Sequence, residues 1–421
     1  MARTIAIKAA VCGVSPEAPN ALLPSSARVI AKAHAAFDTR GRAAFLFEQT
    51  MTEPLSNIPG GMRYYFGREA RLRRAVEDAV MSVFDGWGYE EIAAPAVDYY
   101  ALFERGMGHE EARRSFRFTD TDGRLLALRP DVTSAVARAA ATLFAQASRP
   151  LRLCYAASVF RQRPRSHAEW KRQVRQLGCE LIGAGGEEAD LEVLLIAAEV
   201  LERLGLGYRI TVNHAGVFNG LAAQLALADA ERESARGLID TRDAAGLQSF
   251  LASRGGDGAG EAVPLARELA RLSGKREVLD EALALAFDDG RVAGALKALE
   301  RTWQVIETIG LEESFEVDLG DVSGLDYYTG LVFRIYVEGA GARVGGGGRY
   351  DELTANFGAR EPAVGFVLDL DAVSEVLLRG GVFGVRGAGD ASSSDVAAGS
   401  PGERFREARE RRARGERIRL G

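Results

Sequence analysis

The 421-residue chain is poor in the residues that build crosslinked or metal-held folds. Its three cysteines, Cys12, Cys154 and Cys179, are scattered and odd in number. They fit no zinc spacing and no disulfide framework, and they suit a reducing compartment. No apolar run approaches the roughly 20 residues that span a bilayer. The N-terminus lacks the compact apolar block of a secretory leader, so a cytoplasmic protein without membrane association is expected. An excess of positive charge is also missing. The formal net charge is −6 and the pI near 5.6. Only a local basic groove could then serve nucleic acid. No internal repeat is present.

What remains is a soluble globular composition, 47% hydrophobic and 27% charged, in a chain longer than one small core needs. Residues 1–53 differ from the rest, with Lys/Arg in excess of Asp/Glu and a Pro- and Ser-bearing stretch from Pro16 to Ser26. They read as a disordered or mis-started extension, with an organelle transit peptide as the alternative. Order is expected from 54 to 385. Leu72, Val76, Val80 and Phe84 recur every fourth residue, one face of a helix. Residues 151–160 and 174–182 read as strands joined by an Arg-rich loop, followed by a long helix to Leu204. A helical insertion is expected over about 216–310, with the GGDGAGE run at 255–261 as a loop within it. Strands return at 315–319, 331–337 and 362–368. Helices interleaved irregularly with strands favour α+β over a doubly wound sheet. Residues 386–421 lack core-forming side chains, and 404–421 hold eight Arg and three Glu. They read as a disordered Arg-rich tail, with a nucleic-acid arm as the alternative.

Four blocks carry chemistry. In Arg129-Pro130-Asp131-Val132-Thr133, an acid and a hydroxyl two residues apart share one side if the segment is extended, and could hold an ammonium group. A helix N-cap ahead of residues 134–147 explains the block equally well. In the second, Arg161 ends a strand where its guanidinium can fork onto a carboxylate or phosphate. Gln176 and Glu180 then alternate onto one face of the next strand. A ligand is one reason for such a polar pair; a solvent-facing sheet is the other. The third, Ser323 to Gly330, holds adjacent Tyr327 and Tyr328, which could line a small aromatic pocket. The fourth, Gly345-Gly346-Gly347-Gly348-Arg349-Tyr350-Asp351, lets a backbone approach a ligand closely. It lacks the Lys and Ser/Thr of a phosphate loop, and no cofactor or metal is expected.

Taken in order, RPDVT, FRQRP with RQLGCELIG, GLDYYTGLVF, and GGGGRYDEL with PAVGF resemble the histidyl-tRNA synthetase core over roughly residues 54–380. The resemblance implies a class II aminoacyl-tRNA synthetase-like fold, an antiparallel sheet with flanking helices, usually dimeric through the first helix and strand. It also implies a histidine pocket made of Asp131, Thr133, Arg161, Gln176, Glu180, Tyr327 and Tyr328.

The chain departs from that family on the ATP side. Activation of histidine needs fixed cations against the developing phosphate charge. Where the family has R-G-L-D-Y-Y, this chain has Ser323. Where it ends G-L-E-R, this chain has Asp369-Leu370-Asp371-Ala372. Arg163 replaces an acid and Val174 an adenine-stacking aromatic. Only about 50 residues follow PAVGF, too few for the family's anticodon-binding domain. A kept amino-acid pocket without ATP and tRNA machinery resembles the regulatory-subunit family of ATP phosphoribosyltransferase. That resemblance implies no catalysis by this chain and no tRNA. It implies a homodimer within a hetero-oligomer, a short-form catalytic subunit as partner in the first step of histidine biosynthesis, and L-histidine as feedback effector. A synthetase-like enzyme that activates histidine is the alternative. A free-standing histidine- or nucleic-acid-binding paralogue is a third.

Overall fold

The computed structural model describes residues 57–163, 170–253, 262–286, 290–322, 324, 327–381, 394–396, 400–415 and 418–420. The chain divides between Gly60 and Gly61, and the unit Gly61–Gly421 carries the architecture below. Helix α1 (Gly67–Gly86) buries Leu72, Val76, Val80, Val83 and Phe84, the face expected from their spacing. Short strands β1 (Glu90–Glu91) and β2 (Val97–Tyr99) lead to helices α2 (Tyr100–Met107) and α3 (His109–Ala112). Strands β3 (Arg117–Thr119) and β4 (Leu125–Leu128) then join β2 in a small antiparallel sheet of order β2-β4-β3. Helix α4 (Thr133–Ala141) precedes the long strands β5 (Leu151–Phe160) and β6 (Gln173–Ile182), which pair antiparallel.

Helix α5 (Glu187–Arg203) and strand β7 (Tyr208–His214) follow. The insertion expected at 216–310 is helical: α6 (Ala215–Gln224), α7 (Asp229–Asp240), α8 (Ala244–Ser253), α9 (Val263–Glu268), the two-residue strand β8 (Ser273–Gly274), α10 (Arg276–Leu285) and α11 (Gly290–Thr308). The GGDGAGE run lies outside the described residues. Strands β9 (Phe315–Asp318), β10 (Leu331–Val337), β11 (Gly345–Arg349) and β12 (Ala363–Asp369) complete the main sheet, and α12 (Leu370–Gly380) packs behind it. Its order is β1-β5-β6-β12-β11-β10-β7-β9-β8, antiparallel throughout its centre and parallel at β1–β5 and β7–β9.

Two readings change, and the glycine run, not assigned to an element from sequence, forms β11, hydrogen-bonded between β10 and β12. Thr133 is not extended: it opens α4, whose N-cap position is Val132 without a side-chain cap. Asp131 is therefore not an extended neighbour of Thr133; it stands one residue before the N-cap position, with its carboxyl held by Ser134 in the first turn. Part of the tail expected to lack order forms helix α13 (Pro401–Ala413), and β13 (Ser394–Val396) pairs parallel with β14 (Ile418–Leu420). A Ser400–Glu403 capping box and a Pro at the helix start supply the local signal for α13.

The sheet separates two apolar layers. On one face Leu177, Cys179 and Leu181 of β6 share an apolar layer with α1, α5, α6 and α11, a layer that includes the fully buried Trp303. On the other, Leu153, Tyr155 and Val159 of β5 pack with Val136 of α4 and its N-cap residue Val132. Strand alternation assigns Gln176, Gly178 and Glu180 to this second face. Among the described residues no helix is long and apolar enough to cross a membrane.

Candidate functional site

Glu180 is the centre of the site. It is 1% exposed, midway along β6, with Leu153 of β5 and Gly365 of β12 as its cross-strand neighbours. Three hydroxyls converge on it. Thr133 Oγ1 and Tyr155 Oη donate to Oε1 at 2.7 and 3.1 Å, and Tyr350 Oη donates to Oε2. Buried carboxylates need such partners, since an unpaired charge in an apolar layer is strongly unfavourable. Burial still pushes Glu180 up to about 7, against the lowering effect of these hydroxyls, with Asp131 adding a smaller upward push. Asp131 is raised to about 6, also by burial, and is held lower than burial alone would put it by Ser134 and Arg161. Ser134 Oγ donates to Asp131 Oδ2 at 2.9 Å.

The tyrosines form a cluster. Tyr327 lies 5.3 Å from Tyr328 in an edge-on arrangement and 5.3 Å from Tyr350. The phenols of Tyr155, Tyr327 and Tyr350 are all raised well above their ordinary value by burial, so they stay protonated, and Tyr155 and Tyr350 donate to Glu180. Of the buried polar atoms without a protein partner among the described residues, Asp131 Oδ1, Gln176 Oε1 and Tyr327 Oη belong to residues expected to form the pocket. Native interiors seldom leave such atoms unpaired, and these three together suit a polar ligand.

The structure thus brings together Asp131, Thr133, Gln176, Glu180, Tyr327 and Tyr328. Arg161 stands at the end of β5, its backbone N–H bonded to Arg172 O at 2.9 Å, close enough to lower Asp131 electrostatically. Tyr155, Tyr350 and Ser134 were not singled out as pocket residues from sequence. Tyr155 carried one signal, a hydroxyl among the inward positions Leu151, Leu153, Ala157 and Val159. Arg334 was also passed over. It is buried on β10, 3.2 Å from Asp321 and 5.8 Å from the Tyr328 ring.

Glycines make the room. A Cβ on Gly365 would meet the Glu180 carboxylate, and one on Gly348 would meet Leu331 O and the Tyr328 ring. The glycine run therefore matters less as an approach for a ligand than as space for the neighbours' side chains.

The positions expected to serve ATP do other work. Val174 is buried in the apolar layer of the pocket face. Arg163 is exposed, and its carbonyl accepts from Arg114 Nε at 3.0 Å. Asp369 is the N-cap of α12, its Oδ1 accepting from Ala372 N at 3.0 Å. Asp371 is paired with Arg73, and Arg175 with Glu77 at 2.6 Å. Ser323 lies outside the described residues. Among those described, no group of His, Cys, Asp and Glu could hold a metal ion.

A sequence profile of the histidyl-tRNA synthetase family matches residues 61–373. Fold and pocket together define a class II, histidyl-tRNA synthetase-like protein. A Bacillus halodurans structure, described as an ATP phosphoribosyltransferase regulatory subunit/histidyl-tRNA synthetase, superposes with a TM-score of 0.76 at 27% identity, over 88% of this chain and 94% of that one. The ATP phosphoribosyltransferase regulatory subunit of Halothermothrix orenii is 34% identical, over 79% of this chain and 78% of its own. That of Moorella thermoacetica is 37% identical, over 77% and 82%. The histidine–tRNA ligase of Methanocaldococcus jannaschii is 36% identical, over 75% and 74%. The chain belongs to the ATP phosphoribosyltransferase regulatory subunit family, a histidyl-tRNA synthetase-like group.

Proposed function

We propose that this chain is the non-catalytic partner of a short-form ATP phosphoribosyltransferase subunit. It is required for that subunit's activity in the first step of histidine biosynthesis and transmits feedback by L-histidine. It works in the cytoplasm as a homodimer within a hetero-oligomer. The observation that carries this reading is a pocket with two buried carboxyls and three unpaired polar atoms, in a sequence that has Ser323, Val174 and Ala372 where ATP-side groups are expected.

Histidine fits the chemistry of the pocket. Its α-ammonium group meets Asp131 and Glu180, its carboxylate meets Arg161, and its ring is held by Gln176, Tyr327 and Tyr328. A site that hydrogen-bonds its ligand this fully rejects analogues lacking those groups. For feedback, histidine must bind the inhibited arrangement of the assembly better than the active one, by a coupling of about 1–3 kcal/mol.

The test is co-purification with a short catalytic subunit, then a phosphoribosyl-transfer assay with and without histidine. Activity that needs both chains and falls with histidine supports the proposal. A catalytic subunit equally active alone would sink it. Similarity to the M. jannaschii ligase keeps histidine activation as the second reading, and robust ATP–pyrophosphate exchange by the isolated chain would establish it.

A further inference from the structure

The face of the sheet that carries Glu180 continues to β10. Glu180 stands opposite Gly365, Gly365 opposite Gly348, and Gly348 opposite Val332. Residues two apart on a strand share a face, so Arg334 lies on the same side. Phe333, between them, meets Phe366 in the other layer, with ring centres 6.2 Å apart. Arg334 is 5% exposed, on a strand paired on both sides by β7 and β11. A guanidinium is costly to bury there, and an apolar chain of similar size would cost less. Its charge is kept all the same. Burial works against it, but Tyr328, Asp321 and Tyr336 outweigh burial and raise Arg334 above its ordinary value.

The guanidinium is fixed between an acid and a phenol. Its Nε lies 3.2 Å from Asp321 Oδ2, its Cζ lies 5.8 Å from the centre of the Tyr328 ring, and a side-chain hydrogen bond joins it to Tyr328. Asp321 is itself held in place. Its carbonyl accepts from Asn213 Nδ2 at 2.9 Å. The turn before it is closed by Asp318, whose Oδ1 accepts from Gly320 N at 3.1 Å. Arg242 of the helical insertion secures that carboxylate, its Nη2 reaching both oxygens at 2.7 and 2.6 Å. Gly346, opposite Arg334, leaves the room, since a Cβ there would crowd Arg334 Cδ at 3.2 Å. A guanidinium can only donate, so in its bond to Tyr328 the phenol oxygen accepts. The phenol's own proton is then turned away from Arg334.

We propose that Arg334, anchored by Asp321, is a positioning residue that fixes Tyr328 with its hydroxyl proton free to donate to an acceptor atom of the pocket's ligand. This rests on the histidine reading, in which that acceptor is a ring nitrogen. Arg334 acts on the ligand through Tyr328, without touching it.

The test uses the full chain labelled with fluorotyrosine, the Tyr328 resonance being assigned by its loss in Tyr328→Phe. Without ligand, Arg334→Met and Asp321→Asn should each shift that resonance and leave Tyr89, in the other layer, unmoved. In calorimetric titration with L-histidine, Tyr328→Phe and Arg334→Met should each weaken binding about tenfold, the loss of one orienting hydrogen bond. The double variant should bind no more weakly than Tyr328→Phe alone, whereas a general packing defect would multiply the two losses. An unmoved Tyr328 resonance, unchanged affinity in Arg334→Met, or multiplied losses would each overturn the proposal. If Arg334→Met does not fold, Asp321→Asn decides, and an unchanged resonance there overturns it equally. A wild-type chain that does not bind histidine sinks the histidine reading instead, and the fluorine spectra still decide whether Arg334 fixes Tyr328.

Discussion

Thr133, the first residue of α4, donates a 2.7 Å hydrogen bond to Glu180 in the middle of β6. Local sequence does not place these two residues together; the packing of α4 on the sheet does. With Tyr155 and Tyr350, Thr133 holds a buried carboxylate in one orientation, facing the unpaired groups of the pocket.

Under the histidine reading, Glu180→Gln should weaken histidine binding by about 2 kcal/mol or more, since a charge-assisted bond to the ammonium is lost. Tyr350→Phe removes only an orienting donor and should weaken it by about 1 kcal/mol. Titration calorimetry on the full chain measures both. Equal binding by wild type and Glu180→Gln would remove Glu180 from the ligand's contacts.

The same carboxyl gives a pH signature. Below about pH 4.5 Glu180 is neutral in folded and unfolded chains, and its burial carries no ionisation penalty. As pH rises towards 7 the unfolded chain releases the proton first, and stability falls. The loss is on the order of 3 kcal/mol for Glu180. Asp131 adds a smaller loss between about pH 4 and 6. The melting temperature of the ligand-free chain should therefore fall from pH 5 to pH 8. Glu180→Gln should flatten that slope, and saturating histidine should offset it by supplying a cation. A slope unchanged in Glu180→Gln would refute the assignment.

Asp369→Ala should destabilise the chain by about 1 kcal/mol, the usual loss for an N-cap acceptor. Urea unfolding would show this as a lower midpoint at unchanged slope. Because the residue caps α12 outside the pocket's hydrogen-bond network, histidine affinity should stay within twofold.

Cys154 and Cys179 face each other across β5 and β6, both buried and both free. Burial pushes Cys154 up to about 12 and Cys179 well above the ordinary thiol value. A Cys12→Ser chain should give no rapid reaction with a thiol reagent when native, and two thiols once unfolded. Fast labelling of the native chain would contradict this packing.

Much of this was legible in the residues. The every-fourth spacing from Leu72 to Phe84 and the alternation of Gln176 and Glu180 mark their faces directly. The glycine run was not legible as a strand, because glycines carry no alternation and little β propensity; β10 and β12 supply the hydrogen bonds that fix it. For Asp131 and Thr133 the residues left two conformations open. Two residues' spacing looks alike in an extended segment and at a helix start, and only packing against Glu180 decides. Tyr155 and Tyr350 were hidden for the same reason, since their partner lies in another strand.

The glycines at 348 and 365 carry a further consequence. They give the pocket its shape by the volume they leave to Tyr328 and Glu180. An alanine scan of the lining residues would pass over them, because truncation cannot reveal a position that works by having nothing to truncate. A scan that adds single methyl groups along β11 and β12 would map the cavity's outline from behind, in negative relief.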